Sequence, residues 1–163
     1  MSATELAEEL RGRLSDVVVA RDEVTATVDR GDLLATLAWL RDEHGFDMLM
    51  SVAATDWPGS DPRYWIAYEL RSLQGMRRIR VKVGLSDVDP VVPSATGLFP
   101  TANFHERETF DLFGIRFDGH PDLSRILLPD DWEGYPLRKT EELGGVNTRF
   151  HGAFIPPVDK RTT

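Results

Sequence analysis

The stretch Asn103–Lys139 reads NFHERETFDLFGIRFDGHPDLSRILLPDDWEGYPLRK, and we expect the rest of the chain to be organised around it. Its 37 residues contain two of the four His and six Gly or Pro residues, mixed with acids, arginines and aromatic side chains. That mixture fits neither an ordinary solvated loop nor an amphipathic core helix. Large apolar residues such as Phe117 and Trp132 also argue against disorder. We therefore predict one short helix followed by ordered irregular structure.

Local rules place the helix at the start of this stretch. Asn103 is a favourable N-cap residue, and Glu106, three positions later, can complete a capping box. Gly114 can end the helix in the left-handed conformation. The pattern therefore predicts a helix over about 104–113, enclosed by contacts on more than one side.

One face of the predicted helix is charged. It carries, at spacings i, i+3, i+4 and i+7, Phe104, Arg107, Glu108 and Asp111. The i,i+4 spacing predicts an ion pair between Arg107 and Asp111. Because a nearby guanidinium keeps carboxylates ionised, we expect Glu106, Glu108 and Asp111 to make structural or interface ion pairs rather than to act as catalytic acids or bases.

The remainder of the stretch is broken by turns. Gly119-His120-Pro121 restricts the backbone, and we expect the side chains of His120 and Asp122 to fix this turn by bonding backbone donors. Gly134-Tyr135-Pro136 forces a second turn. The acids between residues 130 and 133 lack an EF-hand pattern, so a solvated corner is favoured over a Ca²⁺ site.

This stretch resembles the characteristic segment of the C subunit of proton-pumping NADH:quinone oxidoreductase, respiratory complex I. The matching motifs are Glu106-Arg107-Glu108, Phe110-Asp111-Leu112-Phe113-Gly114, Gly119-His120-Pro121-Asp122-Leu123, Arg125-Ile126-Leu127 and Gly134-Tyr135-Pro136-Leu137-Arg138-Lys139. The chain departs from the family pattern at Ser124, often an Arg, and at Thr140, often an acid. Residues 103–139 are called the signature segment below.

The resemblance implies an interaction subunit in the peripheral arm, on the cytoplasmic face of the cell membrane and attached through its partners. It implies contacts with the D subunit, which lines the quinone site, and with subunits B and I, which carry iron–sulfur clusters. FMN, iron–sulfur clusters and quinone would lie on or near those partners, with no cofactor on this chain. The expected interface or interface-shaping residues are Glu106, Arg107, Glu108, Asp111, His120, Asp122, Arg125, Arg138 and Lys139.

Composition agrees with a soluble interaction protein. The 163 residues suffice for one domain, and a net charge of −8 argues against nucleic acid or an anionic membrane as a direct partner. Without Cys, the chain cannot supply thiolate ligands or disulfides. The sequence shows neither a signal peptide nor an apolar run of the ~20 residues that span a bilayer.

Residues 1–100 predict an α+β fold, a mostly antiparallel sheet with helices packed on one face. The expected elements are a helix carrying Leu6, Leu10 and Leu14 and capped by Ser2, strands 16–20 and 23–28, a helix over 33–45 capped by Asp32, and strands 47–55, 64–71 and 78–85. Met48, Met50, Val52 and Ala54 are expected on one face of the third strand, and the fourth strand is expected to be central. One helical turn is expected at 94–99.

The three parts of the chain are predicted to be this sheet domain over 1–100, the signature helix and loop over 101–139 within the same domain, and a C-terminal arm over 140–163. Phe150, Phe154, Ile155 and Val158 are unusual in a solvated tail. We therefore expect the arm to extend along a neighbouring subunit, as the resemblance also implies.

Three other functions remain open at this stage. Related complexes with another electron donor, such as F420H2 dehydrogenase, ferredoxin-linked oxidoreductases and membrane-bound hydrogenases, use an equivalent subunit. The carboxylates could instead serve a free-standing enzyme, with a metal at His105, Glu108, His120 and Asp122, although HExxH is absent. The chain could also be a binding module for an unrelated partner.

Overall fold

A computed structural model describes residues 3–14 and 16–141, which form a five-stranded sheet with three α-helices and a small second sheet. The helices are α1 (Ala3–Leu10), α2 (Leu33–Asp42) and α3 (Ala102–Phe113). The strands are β1 (Asp16–Ala20), β2 (Glu23–Thr27), β3 (Met48–Asp56), β4 (Tyr64–Ser72), β5 (Arg77–Leu85), β6 (Val91–Pro93) and β7 (Arg116–Asp118).

The five strands lie in the order β1-β2-β5-β4-β3, and only the β2–β5 pair is parallel. The predicted α+β class with a mostly antiparallel sheet is therefore confirmed. The alternation predicted for β5 is also confirmed, because Ile79, Val81, Val83 and Leu85 are all buried. β4 is an interior strand as expected, but the middle position belongs to β5.

The predicted face of β3 is wrong in its first half. Met48 and Met50 are 38% and 44% exposed, whereas Leu49 and Val52 are buried. The register against β4 shifts between Leu49 and Ser51, which is a bulge. A bulge inserts one residue and exchanges the faces of the strand on either side of it, so strict alternation could not hold across this point.

The helix α3 packs against β3, one of the two edge strands of the five-stranded sheet. Thr101 and Thr109 donate their hydroxyls to the main-chain oxygens of Leu49 and Val52, at 3.3 and 3.4 Å. A helix laid against an edge strand shields groups that could otherwise pair with another chain. This contact positions the signature segment against the sheet domain.

Two short elements were not predicted from the sequence. β6 and β7 pair in parallel, and β7 lies inside the signature segment. The turn expected at 94–99 is present, with bonds from Leu98 and Phe99 to the Ala95 main-chain oxygen.

The N-terminal caps predicted for α1 and α2 are not confirmed. A 3-10 turn, Arg30–Asp32, precedes α2, and Asp32 makes no side-chain capping bond there, contrary to the prediction. Ser2 and nearly all of the predicted C-terminal arm lie outside the described residues.

Across the described ranges, none of the helices has the length and apolarity needed to cross a bilayer.

Candidate functional site

Asp111 lies at the centre of the signature segment and fastens the loop that follows α3. Its side chain is fully buried, and its Oδ2 accepts the main-chain N–H groups of three consecutive residues, 126–128, at 2.8 to 3.1 Å. Its Oδ1 accepts from the Arg125 guanidinium at 2.7 Å. Burial by itself would raise the pKa of Asp111, but these hydrogen bonds together outweigh burial and lower it. We call this arrangement the Asp111 latch.

The predicted ion pair between Arg107 and Asp111 is wrong. Arg107 donates instead to the main-chain and side-chain oxygens of Ser124, at 3.2 and 3.0 Å, and to the Arg125 main-chain oxygen at 3.1 Å. Arg125 forms the ion pair with the Asp111 carboxylate, and its guanidinium also donates to the Trp132 main-chain oxygen at 3.0 Å. The position that departs from the family pattern, Ser124, is thus an acceptor for Arg107.

Glu106 does not close a capping box, because α3 begins at Ala102 and Asn103 lies inside it. The Glu106 side chain is fully buried and accepts from the Ser94 hydroxyl at 2.6 Å and from the Ala95 N–H at 2.7 Å. Glu106 therefore connects α3 to residues 94–95, which precede the helix in sequence.

The expectation that Arg107 keeps Glu106 ionised is also wrong. Burial raises the pKa of Glu106 from 4.5 to about 7, and its two hydrogen bonds offset this only in part. The folded protein therefore holds this proton to higher pH than the unfolded chain does. As a result, the Glu106 contribution to the free energy of unfolding falls as pH rises from about 4.5 to about 7 and is level above that.

Tyr68, on β4, is fully buried. Within the described residues, its hydroxyl has no hydrogen-bond partner. Burial, with a smaller contribution from the Glu106 charge, raises the pKa of Tyr68 well above its usual range.

A second buried carboxylate, Asp56 at the end of β3, holds the far end of the signature segment. Arg63 donates to both Asp56 oxygens at 2.7 and 3.0 Å, and the Lys139 main-chain N–H donates at 2.8 Å. The bonds from Arg63 are the main cause that lowers the pKa of Asp56. Sequence reasoning missed this pair. The available signal was an acid in phase with the apolar residues Val52 and Ala54 of the same strand.

Arg138 covers the C-terminal end of α3. Its Nε donates to the Phe113 main-chain oxygen at 2.6 Å, and its guanidinium lies 4.6 and 5.5 Å from the ring centres of Tyr135 and Tyr64. Gly114 ends the helix as predicted, with φ +71°. A Cβ at Gly114 would lie 2.5 Å from the Tyr135 ring and 2.6 Å from the Arg138 guanidinium, so the close packing of these groups requires glycine.

His120 fixes its turn partly in the predicted manner. Its Nδ1 accepts the Asp122 N–H at 3.0 Å, and its Nε2 lies 3.2 Å from the Asn103 main-chain oxygen. These contacts fit a ring that carries its proton on Nε2. Asp122 contributes its main-chain N–H here, rather than the predicted side chain.

The predicted interface set therefore divides between the interior and the surface. Buried or partly buried against the rest of the chain are Glu106, Asp111, Arg107, His120, Arg125 and Arg138, whereas Glu108, Asp122 and Lys139 are exposed. Across residues 3–14 and 16–141, no three His, Asp or Glu side chains converge in a way that could hold a metal ion. The arrangement fastens a loop in place and presents a surface.

These features define a class of protein: an α+β sheet domain whose edge is covered by a helix, followed by an irregular segment fastened by buried carboxylates. Residues 26–147 match the family model described as the respiratory-chain NADH dehydrogenase 30 Kd subunit. The chain belongs to this family.

Two similar curated proteins are both named as the C subunit of NADH-quinone oxidoreductase. The NADH-quinone oxidoreductase C subunit of Mycolicibacterium gilvum is 47% identical over 89% of this chain and 66% of its own length. The corresponding protein of Saccharopolyspora erythraea is 48% identical over 89% of this chain and 59% of its own length. This chain thus spans two thirds or less of the length of these curated relatives.

Solved structures share the fold. A trypsin-resistant fragment of Nqo5, residues 1–134, superposes with a TM-score of 0.67 at 31% identity, covering 76% of this chain and all of the fragment. A chain of the membrane-bound sulfane sulfur reductase, an archaeal respiratory membrane complex, superposes with a TM-score of 0.75 over 86% of this chain and 85% of its own. At 23% identity, the second likeness concerns the fold alone.

Proposed function

We propose that this chain is the C subunit of a proton-translocating NADH:quinone oxidoreductase and that its own role is structural. Membership of the 30 Kd family and the shared name of its relatives support the assignment to the complex. In that complex the chain would brace the quinone-reducing module, while electrons pass from NADH to quinone on other subunits.

The proposed structural role is supported by the hydrogen bonds that the charged residues of the signature segment make within the chain. Each buried carboxylate of the signature segment accepts at least two hydrogen bonds from within the chain. Arg107, Arg125 and Arg138 all donate to main-chain oxygens. Groups engaged in this way hold a loop in position, whereas an acid–base catalyst needs access to a substrate.

We infer that the chain carries no cofactor of its own. FMN, the iron–sulfur clusters and the quinone would lie on or near subunits such as D, B and I, which we propose as its partners. The absence of Cys from the sequence supports the inference for the clusters, since their usual ligands are thiolates. Attachment to the cytoplasmic face of the membrane would then come through the partner subunits.

Purification of the tagged chain from its native membranes in a mild detergent tests the proposal. We expect subunits B, D and I to copurify, together with NADH-driven quinone reduction. Copurification of B and D without NADH-driven activity would indicate a related complex that uses another electron donor. Recovery of the chain alone would refute its role as a subunit.

A further inference from the structure

Four large apolar side chains of the signature segment are exposed; Leu137 lies near its end, and the other three lie on α3 and on the loop that Asp111 binds. Phe104, Ile126 and Leu127 are 62%, 37% and 61% exposed, and we call them the signature patch. Single exposed apolar residues are ordinary on protein surfaces, but apolar groups gathered on one surface and rimmed by polar residues mark interaction sites.

Hydrogen bonds between α3 and the loop that follows it hold the residues of the signature patch in a fixed arrangement. The Arg107 guanidinium lies 6.0 Å from the centre of the Phe104 ring and donates to main-chain oxygens of residues 124–125. One turn further along the same helix face, Asp111 binds the amides of residues 126–127. The helix face and the loop therefore lie side by side in a fixed arrangement, which lowers the entropy lost when a partner binds.

Most of the exposed charged residues of the signature segment are acidic, with Arg116 and Lys139 as the exceptions. Arg107 and Arg125, the neighbouring arginines, turn inward onto main-chain oxygens and the Asp111 carboxylate. The exposed acids nearest in sequence to the residues of the signature patch are Glu108, Asp122, Asp130, Asp131 and Glu133. The net charge of −8 over the whole chain has the same sign. This surface favours cationic partners and repels anionic ones.

We propose that the signature patch docks a partner protein surface made of apolar side chains rimmed by Lys or Arg. The apolar centre would supply affinity and the acidic rim would select the partner. A second copy of this chain is disfavoured, because its acidic rim would face another acidic rim. This inference rests on the proposed function, since the partner is taken to be another subunit of the complex.

Matched variants of the full chain, expressed in a host that lacks the wild-type copy, test the surface. The patch variants are Leu127→Ser and Glu108→Arg. The controls make the same changes elsewhere, as Val88→Ser, at a residue that is 94% exposed, and Glu8→Arg, at an exposed residue of α1. We expect the patch variants to lower the amount of chain recovered in the complex by about tenfold, with the controls unchanged.

A photo-crosslinking phenylalanine at Phe104 identifies the partner without disturbing the patch. We expect it to capture a segment of another subunit that combines Lys or Arg with apolar residues. Capture of an acidic segment, or of a second copy of this chain, would overturn the stated chemistry. Folded patch variants that assemble normally would overturn the docking surface while leaving the proposed function intact. If wild-type chain itself fails to copurify with any subunit, the proposed function is what fails.

Discussion

Replacing Asp111 with Asn tests whether the Asp111 latch holds the signature segment in place. The change keeps the size of the side chain but removes its charge and turns one oxygen into an N–H donor. In either orientation that donor faces other donors, namely the amides of residues 126–128 or the Arg125 guanidinium. Asn therefore cannot reproduce the pattern of acceptors.

The expected loss in the free energy of unfolding follows from burial. The Asp111 side chain is fully buried and that of Arg125 is 17% exposed. Breaking a buried pair by removing one partner costs about 3–5 kcal/mol. Residues 126 and 127 are exposed, so the released amides can bind water. We therefore expect a loss near the lower end, about 3 kcal/mol.

Urea unfolding of the purified full chain measures this loss, and hydrogen exchange at the amides of residues 126–128 shows whether the loop is released. Glu108→Gln is the matched control, since Glu108 is exposed on the same helix, and a surface change of this kind should cost less than about 0.5 kcal/mol. Because hydrogen bonding lowers the pKa of Asp111, its stabilisation is present above the ordinary value of 3.8 and is lost as pH falls below it. The difference between wild type and Asp111→Asn should shrink accordingly in acid. A loss below about 1 kcal/mol with unchanged amide protection would refute the latch.

Three further substitutions probe the same region. Glu106→Gln should remove the loss of stability that wild type suffers between pH 4.5 and about 7, worth about 3 kcal/mol; parallel pH profiles of the unfolding free energy would contradict this. Gly114→Ala should cost about 2 kcal/mol or more in urea unfolding, because it combines positive φ with a clash. Gly97→Ala, at a site where an added Cβ would have no atom within 4 Å, is its control and should change stability by less than about 1 kcal/mol. Tyr68→Phe should leave the thermal midpoint unchanged or raise it, because it deletes a buried hydroxyl without a partner in the described residues; a large drop would reveal a partner for that hydroxyl.

The sheet domain was predictable because its signals are local. Alternation along Ile79, Val81 and Val83 specifies a half-buried strand by itself, and their burial confirms it. The bulge near Met50 was not predictable, since both phases of β3 contain apolar residues and the choice depends on pairing with β4. The fold class therefore followed from periodicity, while the register required the tertiary contacts.

The charged contacts of the signature segment were less predictable, because several partners were available to each group. Arg107 lies at helical spacing from Asp111, yet Arg125, fourteen residues away in sequence, takes the carboxylate. Helical spacing did contain a signal for Glu106, which shares a face with Ala102 and Thr109, both of them buried. Here the acid among small residues is a buried carboxylate rather than a capping group.

The signature arginines share a physical role that their charge alone does not reveal. Irregular chain cannot satisfy its own main-chain oxygens through a helix or sheet ladder, and unpaired buried groups are costly. Arg107, Arg125 and Arg138 donate to main-chain oxygens of Ser124, Trp132 and Phe113, among others, and so supply the bonds that regular structure would otherwise provide. A planar guanidinium with five donors can serve two such oxygens at once, which a lysine ammonium cannot do in a fixed geometry. Because Arg107, Arg125 and Arg138 are engaged in these contacts, acids predominate among the exposed charged residues of the segment. These acids are Glu108, Asp118, Asp122, Asp130, Asp131 and Glu133, against Arg116 and Lys139.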